Sequence, residues 1–250
     1  MDLKLKGKVC LVTGAGIGLG RAIALGLAAE SATLILAGRR RALLESVRDE
    51  IAGPVPAQIV PVDLASPDGP ARLAEAALAA FGHVDVLVNN AGGSRPLSGE
   101  ADDGAWDEAF ALNFTAARRL TQGVLRRMRE RKFGRIINVT GALASRQPNA
   151  AAPAKAALLS WARGLAGEVA PDGVTVNCLA PGRFDTEQIR DRLHPTAASR
   201  DAFIAANIPV GRFGAPEEFA AVAVFLASPL AGYVSAAHIP VDGAMHRLAL

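Results

Sequence analysis

Near the start of the chain, Thr13-Gly14-Ala15-Gly16-Ile17-Gly18-Leu19-Gly20 places glycines at a spacing that phosphate chemistry can use. Glycine lets the backbone turn sharply and bring its N–H groups close to a pyrophosphate, and a helix starting there adds the positive end of its dipole. Any tight strand-to-helix turn can use glycine. This string follows the first apolar run, Val9-Cys10-Leu11-Val12, and opens a helix-like stretch, so a dinucleotide is the expected ligand. A second run ends Leu36-Ala37-Gly38-Arg39-Arg40. An acidic side chain at that edge would hold a ribose 2′-hydroxyl, and none is present. Arg39 and Arg40 can instead pair with a 2′-phosphate through the planar guanidinium fork, or simply begin a helix in solvent. NADP(H) is therefore expected ahead of NAD(H). Asp63 and Leu64 close a third run where an adenine would lie, and Asp63 equally reads as the N-terminal cap of the next helix.

These residues need a frame that brings them to one edge. Short apolar runs alternate with helix-like stretches along the whole chain. Strands are expected at Val9–Val12, Thr33–Ala37, Gln58–Val62, Asp85–Val88, Arg135–Val139, Val174–Leu179 and His238–Val241. Helices are expected at about Gly18–Glu30, Arg41–Ile51, a stretch ending near Phe81, Trp106–Arg131, Ala152–Val169 and Glu217–Leu226. Runs that are apolar throughout, rather than alternating, mean strands buried on both faces. The expected fold class is α/β: a Rossmann-type, doubly wound, parallel seven-stranded sheet in a three-layer αβα single domain over residues 1–250. Ligands of such sheets bind at the carboxyl ends of the strands, so the irregular segment 182–209 is expected to be a substrate lid.

Composition narrows the function classes. Half of the residues are hydrophobic and 20% are charged, with a net charge of only +3. A sizeable core follows, and nucleic acid is not an expected partner. The basic run Arg126 to Lys132 ends a helix, where cations suit the dipole. Cys10 and Cys178 lie far apart in apolar runs, which fits buried thiols in a reducing compartment better than a disulfide or metal site. Residues 1–8 lack the apolar core of a signal peptide, and no apolar run approaches the roughly 20 residues of a membrane span. A cytoplasmic protein without a membrane partner is expected.

Taken together, Thr13-Gly14…Gly18-Leu19-Gly20, Asn89-Asn90-Ala91-Gly92, Asn113, Gly134-Arg135-Ile136-Ile137-Asn138-Val139, Lys155, Pro181-Gly182…Thr186 and Val241-Asp242-Gly243 resemble the short-chain dehydrogenase/reductase family. The likeness is to its 3-oxoacyl-carrier-protein-reductase-like members and covers nearly the whole chain. It implies that Asn89, Ala91 and Gly92 line the adenosine ribose and steady the sheet. It implies that Pro181, Gly182 and Thr186 flank the nicotinamide and diphosphate, that Lys155 holds the nicotinamide ribose, and that Asn113 anchors a water chain to that lysine. The plainer readings are an exposed lysine in a first helical turn and an asparagine mending a helix irregularity. The resemblance also implies a homotetramer or homodimer, with Trp106–Arg131 and Ala152–Val169 forming one contact. Burying an apolar face there is also what a core helix does.

The family's chemistry passes a hydride between the nicotinamide and a carbonyl carbon, while a proton reaches or leaves the oxygen. A tyrosine four residues before the lysine normally supplies that proton, and a serine after the fifth strand hydrogen-bonds the oxygen. Here those positions are Ala151 and Gly141, and the stretch between them is shorter than the family's. The one tyrosine, Tyr233, precedes the last strand and reads as a packing or subunit-contact residue. Asn113 and Lys155 remain. Thr140 or Ser145 could hydrogen-bond a carbonyl, and Lys155 or a water on it could carry the proton. His194 in the lid could titrate, although an ordinary loop histidine is the plainer reading. The lid mixes Phe184, Leu193 and Phe203 with Arg183, Arg190, Arg192 and Arg200. That mixture suits an acyl chain with an acidic group, or equally a solvated amphipathic helix. Two functions stay open. One is an NADP(H)-dependent oxidoreductase acting on a small-molecule carbonyl or alcohol, 3-oxoacyl substrates included, by an atypical proton path. The other is a nucleotide-binding sensor or partner subunit with weak or no activity. A lyase keeping the nucleotide for structure alone is a minor third.

Overall fold

The computed structural model describes residues 1–51, 55–141, 143, 148–187 and 189–245. Seven strands form one sheet: β1 (Val9–Thr13), β2 (Thr33–Gly38), β3 (Ala57–Pro61), β4 (Val86–Asn89), β5 (Gly134–Val139), β6 (Val174–Pro181) and β7 (His238–Val241). All neighbours pair in parallel, in the order β3-β2-β1-β4-β5-β6-β7. Among the described residues, eight α-helices connect and cover them: α1 (Gly18–Ala29), α2 (Arg41–Glu50), α3 (Gly69–Phe81), α4 (Asp103–Phe110), α5 (Ala116–Glu130), α6 (Ala151–Val169), α7 (Ala197–Asn207) and α8 (Pro216–Ala227). The expected Rossmann-type, doubly wound sheet is present, with each expected strand in place to within one or two residues.

The apolar runs have the physical cause expected of them. Along β1, Cys10 and Val12 join the core beneath α1, α2 and α8, while Val9 and Leu11 join the core beneath α3, α5 and α6. Successive side chains point to opposite faces of a strand, so a strand covered on both sides must be apolar at every position. Strand order reverses between β1 and β4, and the crevice opens there at the carboxyl ends. At the opposite end, Arg135 is buried and donates to the Ser228, Gly134 and Gly173 carbonyls, so this arginine of the β5 motif serves the scaffold.

Two expected elements are corrected. The single helix Trp106–Arg131 is α4 and α5 joined by a π-helical turn, Ala111–Thr115. It starts earlier because Asp102 caps α4, its carboxylate accepting the Ala105 N–H at 2.9 Å. Segment 182–209 is not irregular: it holds a second π-helical turn, Ile189–Leu193, and then α7, capped by Thr196. No residue of α7 is fully buried, so no apolar stripe marked it in the sequence. Among the described residues no helix is long and apolar enough to cross a membrane, and no cluster of His, Cys, Asp and Glu could hold a metal ion. Cys10 and Cys178 are both buried and unbridged.

Candidate functional site

A cavity of about 640 Å³ runs along the carboxyl ends of the strands, from Arg39 and Arg40 at one end to Lys155 and the lid at the other. Its floor is the glycine-rich turn: Gly14, Gly16, Ile17, Gly18, Leu19 and Gly20 all line it. A Cβ on Gly20 would run into the Gly14 carbonyl and the Asn90 amide, so only glycine lets α1 start this close to the turn. No side chain caps the N-terminus of α1, and its first turn carries no acid. The N–H groups there are left for an anionic ligand. Thr13 stands behind the wall and does not line the cavity. Its hydroxyl donates to the Val88 carbonyl (3.2 Å) and accepts the Asn90 and Ala91 N–H groups (2.9 Å each), locking the β1 turn to the β4 turn.

The end of β2 carries no acid. Arg39 and Arg40 line the cavity and are exposed, and the nearby Glu45 and Glu50 are taken by Arg41 and Arg21. Asp63 and Leu64 line the wall. The Asp63 carboxylate accepts the Ala65 N–H at 3.0 Å, well before α3 begins at Gly69. Asp63 therefore holds a local turn and is not the cap of α3. Asn89 is corrected as well. Its amide donates to Asn138 Oδ1 (2.9 Å) and Thr121 Oγ1 (3.2 Å) within the buried layer between β4, β5 and α5. It steadies the sheet, as expected, but faces away from the cavity. Asn90, passed over in the sequence, lines the cavity beside Ala91 and Gly92. The alternation of side chains along an extended strand decides which of two adjacent asparagines faces the ligand.

At the other end Asn113 and Lys155 converge. Asn113 sits in the first π-helical turn, 1% exposed. Its Nδ2 donates to the Ala109 carbonyl at 2.9 Å, and its Oδ1 accepts the Gly93 N–H at 3.0 Å. It thus mends the helix irregularity and still presents itself beside the site. Lys155, on α6, is 7% exposed, so the exposed-lysine alternative fails. Its Nζ donates to the Val139 carbonyl at 2.7 Å, and burial pulls its pKa down to about 8. A Cβ on Gly92 would stand 2.9 Å from Asn113 Oδ1 and 3.0 Å from Lys155 Nζ, so both groups border one point. Pro181, Gly182 and Thr186 line the same cavity on the β6 side.

The replacement hydroxyls fare less well. Thr140 lines the cavity, yet its hydroxyl donates to the Leu179 carbonyl at 3.1 Å and lies 3.4 Å from His238 Nε2. That proton is engaged inside the sheet. Ser145 lies outside the described residues. Ala151, the first residue of α6, and Gly141 both line the cavity. His194 does not: it packs on the Phe203 and Phe213 rings at 4.5 and 5.9 Å. Burial, then Arg183 and Arg200, lower its pKa. Tyr233 is 104% exposed at the amino end of β7, which overturns the packing reading and puts it far from the site. Asn149 and Arg95 line the cavity with no sequence signal beyond their place next to motifs, and Arg183, already read as part of the lid's basic set, lines it too. Asn149 Nδ2 donates to Ser94 Oγ at 2.9 Å, Arg95 pairs with Glu108 at 3.1 Å, and Arg183 follows Gly182.

The family described as enoyl-(acyl carrier protein) reductase matches residues 14–246. The chain is 36% identical to a 3-oxoacyl-[acyl-carrier-protein] reductase of Aquifex aeolicus, over 98% of this chain and 100% of that protein. A crystal structure of L-sorbose reductase from Gluconobacter frateurii, complexed with NADPH and L-sorbose, superposes with a TM-score of 0.91 at 33% identity, covering 99% of this chain and 100% of the other. A 3-oxoacyl (acyl-carrier-protein) reductase from Agrobacterium tumefaciens C58 with NADP bound gives 0.91 at 31% identity, covering 97% and 95%.

Proposed function

This chain belongs to the short-chain dehydrogenase/reductase family, and on that premise we propose that it is an NADP(H)-dependent oxidoreductase of small carbonyl or alcohol substrates whose proton passes through Lys155. The observation that carries this reading is one continuous cavity. It joins an uncapped helix N-terminus and an acid-free arginine edge to the Asn113–Lys155 pair. The residues fit a dinucleotide with a 2′-phosphate, and when bound its nicotinamide supplies or accepts the hydride. The chain supplies the rest. Thr13 and Asn90 hold the turn in shape, and Gly14 to Gly20 present N–H groups. Pro181, Gly182 and Thr186 wall the reacting end. With Ala151 where a phenol would stand, Lys155 is the buried cation bordering the reacting end, and its pKa of about 8 makes it a usable acid near neutrality. In reduction its ammonium gives a proton to the carbonyl oxygen, directly or through a water, and regains it from solvent; oxidation runs the reverse. Asn113 fixes the Gly92–Gly93 wall against which that exchange occurs.

A 3-oxoacyl substrate is supported by the likeness to 3-oxoacyl reductases, and a sugar by the likeness to sorbose reductase; the carbonyl is common to both. The same reading takes 1–250 as one domain with 182–209 as its lid, supported by Phe184, Ile189 and Leu193 on the cavity wall. It takes the protein as a cytoplasmic homotetramer or homodimer. An edge-on pair, Phe114 and Trp161 at 6.5 Å, lies half-buried where the π-helical turn before α5 meets α6, which supports a contact there. Sedimentation of Trp161→Ala should then show smaller particles than the wild type.

The second reading, a nucleotide-binding protein without turnover, is favoured by the missing phenol alone. NADPH should quench Trp106 or Trp161 fluorescence under either reading, and only an oxidoreductase oxidises it with some member of a carbonyl panel. The cofactor preference has its own test. Arg39→Asp should weaken NADPH binding about tenfold or more, the worth of one charge-assisted contact, and NADH binding far less. Equal losses would remove the 2′-phosphate role from Arg39.

A further inference from the structure

Two guanidinium groups border the cavity at its reacting end, and their states differ. Arg95 is neutralised by Glu108 at 3.1 Å. Arg183 has no carboxylate partner among the described residues: Asp185, two positions on, is taken by Arg190 at 3.2 Å. The Arg183 Nε is buried without a hydrogen-bond partner. The guanidinium lies over the Phe203 ring at 5.3 Å, and Phe203 is itself packed against His194 and Phe213. One face of the cation is thus held by the aromatic side chains of the lid. The side chain as a whole is half-buried, and a partly desolvated cation without a partner is costly, a cost that an anionic ligand would relieve.

We propose that Arg183 binds a carboxylate of the substrate, so that the protein acts on oxo acids or hydroxy acids. This rests on the oxidoreductase reading above and deepens it. A carboxylate matches the planar donor fork in two parallel hydrogen bonds, and stacking on Phe203 pre-orients the fork, so little freedom is lost on binding. Arg183 and Arg200 both act on the lid's His194, pushing its pKa down after burial does. Glu187 borders the same cavity but forms no ion pair with Arg183. The cofactor's phosphates have their own donors at the start of α1 and at Arg39 and Arg40, which leaves Arg183 for the substrate.

The test measures binding without turnover. The protein is loaded with NADP⁺, which cannot reduce a carbonyl. Straight-chain 2-, 3-, 4- and 5-oxo carboxylates and their methyl esters are then titrated by ligand-observed NMR. At least one acid should bind about tenfold or more tightly than its ester, as expected for a charge-assisted bidentate contact. Arg183→Gln should abolish that preference while NADP⁺ affinity stays within about twofold, and Arg183→Lys should keep part of it because the charge remains without the fork. Should Arg183→Gln not fold, the narrowed preference of Arg183→Lys decides the matter. Equal binding of acid and ester in every pair overturns the proposal, as does a preference that survives in Arg183→Gln. A loss of NADP⁺ affinity in that variant also overturns it, since the guanidinium would then belong to the cofactor. A wild type that prefers the acids yet reduces none of them with NADPH overturns the oxidoreductase reading and leaves the role of Arg183 standing.

Discussion

Ala151→Tyr is expected to raise carbonyl-reduction turnover by about 10²- to 10⁴-fold, the range that one positioned acid–base group supplies. Ala151 and Lys155 are four residues apart on α6, so their Cβ atoms lie on one helix face, and both side chains border the cavity. A phenol at 151 would stand beside the Lys155 ammonium. A neighbouring cation favours the phenolate and brings the phenol's pKa toward the working pH. The other parts of a proton path are present, with Asn113 tied to Gly93 and Lys155 tied to Val139. Steady-state NADPH oxidation across a carbonyl panel that includes oxo acids reads the result. A flat response with NADPH affinity retained would sink the simple reductase reading. Gly141→Ser should contribute much less. Gly141 has φ +151°, a conformation that L side chains rarely adopt, and forcing serine into it costs on the order of 1–3 kcal/mol. The double variant should therefore be less stable than Ala151→Tyr alone.

Lys155→Met should lower turnover of the natural chain by at least about 10²-fold, since it removes the proposed proton carrier while keeping the bulk of the side chain. The pH profile tests whether the lysine acts as an acid or only holds the cofactor. Reduction needs the ammonium form, so wild-type kcat/KM for reduction should fall as pH rises through about 8, and alcohol oxidation should rise through the same region. A lysine that merely positions the cofactor would move KM for NADPH and leave the substrate profile without that limb. The stability of the cofactor-free protein carries a matching sign. Burial lowers the folded-state pKa from 10.5 to about 8, so between those values the unfolded chain binds more protons than the folded one. The cost of the buried charge is then fully present below about 8 and relieved as pH rises through that window, by up to about 3 kcal/mol. Chemical denaturation from pH 7.5 to 10 should show wild-type stability gaining on Lys155→Met. Parallel curves would mean that Lys155 is not desolvated as its position requires.

Much of this protein was legible before folding. Runs such as Val9–Val12, apolar at every position, demand a strand covered on both faces, and their alternation with helix-period stretches demands a parallel sheet. The glycines of 14–20, the acid-free end of β2 and the alanine at 151 are facts of residue type at one place, and their chemistry is local. What the sequence left open were questions of partner and of water. Asn89 and Asn90 are chemically identical neighbours, and only the pleat of β4 sends one into the α5 layer and the other to the cavity. By type and position Lys155 fits either a cofactor-holding lysine or an exposed one, until α6 docks against β5 and buries its amine on the Val139 carbonyl. The Thr140 hydroxyl is a candidate donor until β6 brings up the Leu179 carbonyl to take its proton. Arg95 and Arg183 are alike in type, but Glu108 on α4 neutralises the first, and among the described residues the second meets a phenylalanine of α7 and no carboxylate. Residue type and period are properties of a few consecutive positions. Desolvation and pairing depend on which distant elements close over a group, and those were set by the tertiary fold.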